Sequence, residues 1–178
     1  TLFMSIEKQK YRNRRLDAAR GYLILRMPEC ALRELRKIQS PEFCEFDTWL
    51  LTAEAHRDLD QFDEAIPFFE KASLLQPGNL QAHLGLAWCY KRIDRLMRAI
   101  ESLENAKQHH PEEPIIIYNL ACYFSLVGDK PKAIECLGRS LRMEPQLREL
   151  ISEETDFDQL RMDPDFQFVA ETVEQESD

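Results

Sequence analysis

The sequence predicts an all-α protein, a solenoid of four helical hairpins closed by C-terminal capping helices. Three observations predict it. Alanines recur in two phased rows at a spacing of thirty-four residues: Ala19, Ala53, Ala87 and Ala121, then Ala31, Ala65, Ala99 and Ala133. Prolines keep the same step at Pro77, Pro111 and Pro145, where each unit would close. Between these markers apolar residues follow a helical rather than an alternating spacing.

Residues 1–11 read as a lead-in helix, with Thr1–Phe3 set aside as an added leader or the cut edge of a longer protein. The repeats then run approximately over 12–45, 46–79, 80–113 and 114–147. Lys8, Lys10, Arg12, Arg14, Arg15 and Arg20 make the N-terminal end basic, as a solvated helix face does. The first repeat is the most degenerate, with Arg15 at an aromatic position and Phe43 where a closing proline belongs. Second helices of the hairpins are announced by Pro28, by Asp63-Glu64 and by Pro131, which suit a first helical turn. Pro67 is early enough in its helix to be tolerated. The apolar run IIIYNLACYFSLVG, ending at Gly128, is shorter than the ~20 residues of a membrane helix and reads as the buried first helix of repeat four.

Further rows keep the period: Tyr22, His56, Tyr90 and Phe124; Leu25, Leu59, Ile93 and Val127; Leu35, Phe69, Leu103 and Leu137. Small residues at two fixed positions let the two helices of a hairpin approach closely, and larger apolar residues fill the gaps between hairpins. This pattern resembles the tetratricopeptide repeat, carried most fully in repeat two by Trp49, Ala53, Ala65, Phe69, Ala72 and Pro77. The resemblance covers residues 12–145. It implies a right-handed α-solenoid of tetratricopeptide (TPR) hairpins that binds a polypeptide in its concave groove and does no chemistry. Family members that hold a chaperone's C-terminal carboxylate use a Lys/Asn/Arg clamp; the matching places here hold Leu16, Arg20, Leu51, Gln81 and Gly85, or Leu50, Glu54, Gly85, Ile115 and Asn119 in the next register, so no clamp is implied.

Beyond Pro145 the period stops. Residues 146–178 hold eleven acidic side chains and two arginines, whereas residues 1–145 are balanced, so the formal charge of −9 belongs to this tail. Leu147, Leu150 and Ile151, then Phe157 and Leu160, then Phe166, Val169 and Val173 mark three short amphipathic segments. Asp163-Pro164 supplies an N-cap and a proline at the first helical position. The run DFDQLRMDPDF resembles the tail after the last repeat in many bacterial members of the family. The segments are expected to cover the last hairpin near Leu137 and Leu141; the alternative is an arm reaching the basic end of a second copy.

The five cysteines, Cys30, Cys44, Cys89, Cys122 and Cys136, contain no CxxC and suit reduced thiols in a cytoplasmic protein. Phosphate-binding glycine loops, HExxH and GxSxG are missing, so no catalytic residue, cofactor or metal site is assigned. His109-His110 reads as a helix C-terminus, His56 as a packing residue, and Cys89 and Cys122 as inert buried thiols. The partner-binding residues fall on the first helix of each hairpin: Leu50, Glu54, Arg57, Leu84, Trp88, Lys91, Tyr118, Asn119, Cys122 and Ser125. Trp88 and Tyr118 are either anchors for a protein or peptide partner or fillers between repeats. The expected function is an adaptor or scaffold, with a self-assembling homo-oligomer as the alternative and a secretion-type chaperone as a minor one; neither nucleic-acid binding nor membrane insertion is expected.

Overall fold

A computed structural model describes residues 2–39 and 45–172 of the chain. Phe43, Cys44 and Val173 lie outside the described residues. The helices are α1 (Leu2–Ile24), α2 (Pro28–Arg36), α3 (Phe46–Asp58), α4 (Phe62–Leu75), α5 (Leu80–Arg92), α6 (Leu96–His109), α7 (Pro114–Leu126) and α8 (Lys130–Met143). A 3-10 turn (Pro145–Leu147), α9 (Arg148–Ile151), a 3-10 helix (Thr155–Leu160) and α10 (Pro164–Glu171) follow. No strand occurs among the described residues, and none of their helices is long and apolar enough to cross a membrane. The chain divides into two compact units, Thr1–Ile93 and Asp94–Asp178.

Each turn from a first to a second helix passes through one left-handed residue: Arg26 (φ 58°), Asp60 (φ 57°), Asp94 (φ 58°) and Gly128 (φ 82°). These four stand thirty-four residues apart. Around three of them the backbone closes a Schellman motif, in which the amide just after the left-handed residue donates to a carbonyl five residues back. The bonds are Met27 N to Tyr22 O at 2.8 Å, Gln61 N to His56 O at 2.9 Å and Asp129 N to Phe124 O at 2.9 Å. The partner amides of Arg26, Asp60 and Gly128 reach the carbonyls of Leu23, Arg57 and Ser125, each at 3.0 Å. The chain thus reverses within three residues and lays the second helix along the first.

So tight a reversal requires small residues at the contact. All eight alanines of the two rows are fully buried, as are Leu35, Phe69, Leu103 and Leu137. Helices α1 and α2, α3 and α4, and α7 and α8 pack as pairs. Within the first unit α4 also packs on α5, where the ring of Phe69 comes so close to Gly85 that a Cβ would lie 2.4 Å from its Cζ. At the degenerate first repeat Arg15 replaces an aromatic contact with a charged one: its Nη1 donates to Glu34 on α2 at 2.7 Å, and its guanidinium lies 4.9 Å from the Tyr11 ring. His56 is a packing residue, stacked on Phe68 with centroids 5.6 Å apart. Pro67 stands at the sixth position of α4, which continues through it to Leu75.

In the second unit the tail folds back onto α7 and α8. Phe157 is fully buried between Tyr118 (5.9 Å, edge-on) and Phe166 (5.3 Å). Leu147, Ile151, Leu160 and Phe166 are buried too, and α10 lies on α8, with Val169 facing Gly138. The Asp163 carboxylate caps α10 by accepting from the amides of Asp165 (3.0 Å) and Phe166 (3.2 Å), and it pairs with Lys130 at the start of α8. That pairing holds the Asp163 carboxyl below its ordinary range. Arg148 ties the segment to its own end, donating to Ala170 O at 2.8 Å. The tail is therefore the cap of its own last hairpin, with Leu147, Ile151, Phe157, Leu160 and Phe166 taken up in that contact.

Two expected outcomes follow from these contacts. Gly128→Ala puts a Cβ on a left-handed residue with open space around it, so it should cost ~1 kcal/mol by conformation alone, whereas Arg26→Gly should recover a similar amount; urea melts of the two variants measure both signs. Ala65→Leu and Ala133→Leu should each destabilise by ~1–3 kcal/mol through overpacking of a hairpin, and unchanged thermal melting for both would contradict the alanine contact.

Candidate partner-binding surface

The residues expected to line a groove fall in both units, and their surroundings differ. In the first unit, α1 and α3 border a depression of about 370 Å³. Leu23, Ile24, Phe46, Leu50 and Leu51 give it apolar walls; Arg20, Asp47, Glu54, Asn79 and Gln81 add polar groups. Arg20 bridges Asp17 on its own helix (3.2 Å) and Asp47 on α3 (3.1 Å), which orients the guanidinium at the rim. The Glu54 carboxylate accepts from the Gln81 side-chain amide, and burial raises its pKa above the usual carboxylate range against that hydrogen bond and Arg57. A partly desolvated carboxylate beside amide donors suits a ligand that brings its own donors.

Trp88 lies apart from this depression, 38% exposed, beside a smaller hollow of about 200 Å³ lined also by Arg26, Pro28, Arg57, Asp58 and Asp60. Its ring meets Phe62 edge-on at 5.3 Å and carries the Arg92 guanidinium 5.5 Å from its centroid. Held on one side and open on the other, it has the form of an interface anchor. Arg57 pairs with its neighbour Asp58 at 3.2 Å. Leu50 is buried as a floor residue, while Leu84 and Lys91 are half-buried. Cys89 is fully buried, and burial pushes its thiol up to about 11, which suits an inert packing residue.

In the second unit the expected opening is filled by the chain itself. Tyr118, Cys122 and Ser125 are all buried beneath the 3-10 helix Thr155–Leu160, and Ser125 Oγ donates to Asp156 O at 2.7 Å. Of the four residues expected there only Asn119 keeps partial exposure. Tyr118 is thus a filler in this structure, packed against Phe157. The physical reason is that the tail's aromatic residues find their largest apolar contact on the face that would otherwise receive a partner. Arg20, Leu23 and Asp47 belong to the depression beside Leu50 and Glu54, and Ile24, Phe46 and Asn79 join them. The latter three sit at or near helix ends, where repeat position alone does not predict orientation.

Helical hairpins of thirty-four residues ending in an apolar cap define the class of helical-repeat proteins. The chain is similar to tetratricopeptide repeat proteins: the family model for the tetratricopeptide repeat matches residues 56–116. It is 26% identical over 141 residues to the tetratricopeptide repeat-containing protein trd-1 of Caenorhabditis elegans, a match covering 78% of this chain and 18% of that protein. The chain spans less than a fifth of that relative's length. Among solved structures it resembles MamA 41-end from Desulfovibrio magneticus RS-1, with a TM-score of 0.76, 18% identity and 90% of each chain covered. It also resembles YrrB, a TPR protein with an unusual peptide-binding site, with a TM-score of 0.70, 18% identity and coverage of 76% of this chain and 70% of that one. At such identity the likeness is one of fold: an α-solenoid of TPR hairpins.

Because Phe157 is fully buried between two aromatic rings, Phe157→Ala should destabilise the protein by ~3–4 kcal/mol. Thermal melting together with binding of a hydrophobic dye checks it: the expected result is a lower melting point with newly exposed apolar surface at both low and high salt.

Proposed function

We propose that the chain is a non-catalytic adaptor that binds an extended peptide segment of a protein partner on the first-helix face of its N-terminal unit. The observation that carries this reading is the depression between α1 and α3, with apolar walls and a rim of oriented polar groups. Its volume lies in the range of ligand sites, enough for one or two apolar side chains. Leu23, Ile24 and Phe46 would take those side chains, while Gln81, Asn79, Glu54 and the Arg20–Asp47 pair would meet the peptide's amides and charges. Ile24 is 80% exposed, a large apolar side chain that a bound segment would cover. The family supports the reading, since TPR proteins are generally interaction modules, and YrrB, of the same fold, is a TPR protein with a peptide-binding site. Arg57, Leu84, Trp88 and Lys91 would extend the surface along α3 and α5. The described thiols and histidines of this unit lie outside the depression, in keeping with binding rather than chemistry.

Selection of peptides from a random display library against the full chain tests the proposal. Ile24→Ala and Trp88→Ala each leave the helices intact, and each should weaken the selected peptides by on the order of 2 kcal/mol, about thirtyfold. Equal binding by the native chain and both variants would remove this surface from consideration, and loss of helicity in Trp88→Ala would make that residue core.

A further inference from the structure

Where the tail crosses α7, three groups able to bind a metal come together: Cys122 Sγ and one carboxylate oxygen each from Glu154 and Asp156 lie within 4.8 Å of one another. Cys122 and Asp156 are buried and Glu154 is partly so. One turn before Cys122 on the same face of α7 stands Tyr118, 2% exposed, whose hydroxyl has no hydrogen-bond partner. A buried hydroxyl without a partner costs about 1–3 kcal/mol, so its presence calls for an occupant. The phenol ring lies beside this cluster, meeting Phe157, the neighbour of Asp156, edge-on at 5.9 Å. Arg161 donates to the carbonyls of Ile151 (3.3 Å), Ser152 (3.3 Å) and Glu154 (2.9 Å) and to the Asp158 carboxylate (2.8 Å), which ties the chain around the cluster together.

We propose that Cys122, Glu154 and Asp156 form a binding site for a borderline divalent cation of the zinc class, with Tyr118 hydrogen-bonded to a water in the fourth position. A thiolate with two carboxylates favours such an ion over magnesium or calcium, which prefer oxygen alone. Tetrahedral zinc with sulfur at ~2.3 Å and oxygen at ~2.1 Å sets its donors roughly 3.5 Å apart. Closing from 4.8 Å therefore takes a movement of about an ångström, within reach of the Glu154 side chain. Glu154 Oε1 already accepts from the Asp156 amide at 3.2 Å, which keeps the carboxylate beside the other two groups. On binding, the Cys122 thiol gives up its proton to solvent and its sulfur forms the metal bond. The ion would join α7 to the tail and pin the cap that Phe157 already seats.

Titration of the reduced, chelator-treated full chain with cobalt(II), then zinc(II), tests this. The expected result is one cobalt per chain with a thiolate-to-metal charge-transfer band, displacement of that cobalt by zinc, and a raised melting point with zinc. Cys122→Ser should abolish the band, and Asp156→Asn and Glu154→Gln should each weaken binding at least tenfold, while Cys136→Ser keeps both band and affinity. Glu154→Gln, at the least buried of the three ligands, keeps the test readable if the buried substitutions unfold the chain. A band that survives Cys122→Ser, affinity unchanged in Glu154→Gln, or no binding by the native chain would overturn the proposal.

Discussion

Every hairpin in this protein depends on one left-handed residue between its helices. The Schellman bonds around Arg26, Asp60 and Gly128 satisfy the last carbonyls of the first helix and aim the chain back along it within three residues. A longer loop would leave the crossing distance free to vary. This one does not, so the helices meet at a separation that only alanine fits, and the two alanine rows follow from the turn. Three of the four turns hold a residue with a side chain, a local strain of roughly 1–2 kcal/mol each. It persists because the buried rows at 35, 69, 103 and 137, each side chain worth ~1.5–3 kcal/mol, outweigh it.

Once hairpins are set, their ends become the next constraint. A repeat buries its apolar face only against a neighbour, so a final hairpin exposes one. Here α9, the 3-10 helix and α10 supply the missing neighbour, with Phe157 and Phe166 as the bulk of the contact. The acidity of these segments is compatible with docking because most of the charges stay outside while Phe157 and Phe166 turn in. The few charges that do approach the repeats are paired or capping, as with Asp163 and Lys130. Electrostatic attraction to a distant basic surface is therefore a weaker pull on the tail than the apolar face beside it.

Much of this was legible in the sequence. The alanine rows, the Asp163-Pro164 cap and the helical identity of IIIYNLACYFSLVG all rest on residue types whose physical roles are narrow. The left-handed row is silent in the sequence because Arg26, Asp60, Asp94 and Gly128 share a backbone conformation and no side-chain chemistry. Sequence alone does not show that Tyr118, Cys122 and Ser125 are covered, because repeat position predicts which way a side chain points, not what later segment will lie on it. The cluster with Glu154 and Asp156 is hidden for the same reason: Cys122 lies more than thirty residues before the two carboxylates and meets them only when the tail docks. Ile24 and Asn79 were missed as well, since residues at helix ends depart from the register that periodicity sets.

The contrast between the two units carries the functional argument one step further. Leu50 in the first unit and Tyr118 in the second occupy the same repeat position, yet one is the floor of a depression and the other is sealed beneath a tail. The tail shows what such a first-helix face accepts: an aromatic side chain entering edge-on, and a backbone carbonyl taken by a serine hydroxyl, as Phe157 and Asp156 are held. Gln81 and Asn79 carry side-chain amides that can donate in the same way at the first-unit depression, where Glu54 accepts, alongside apolar walls of similar character. A partner segment that combines a bulky apolar side chain with exposed backbone carbonyls would thus meet in one unit the chemistry the chain already uses on itself in the other.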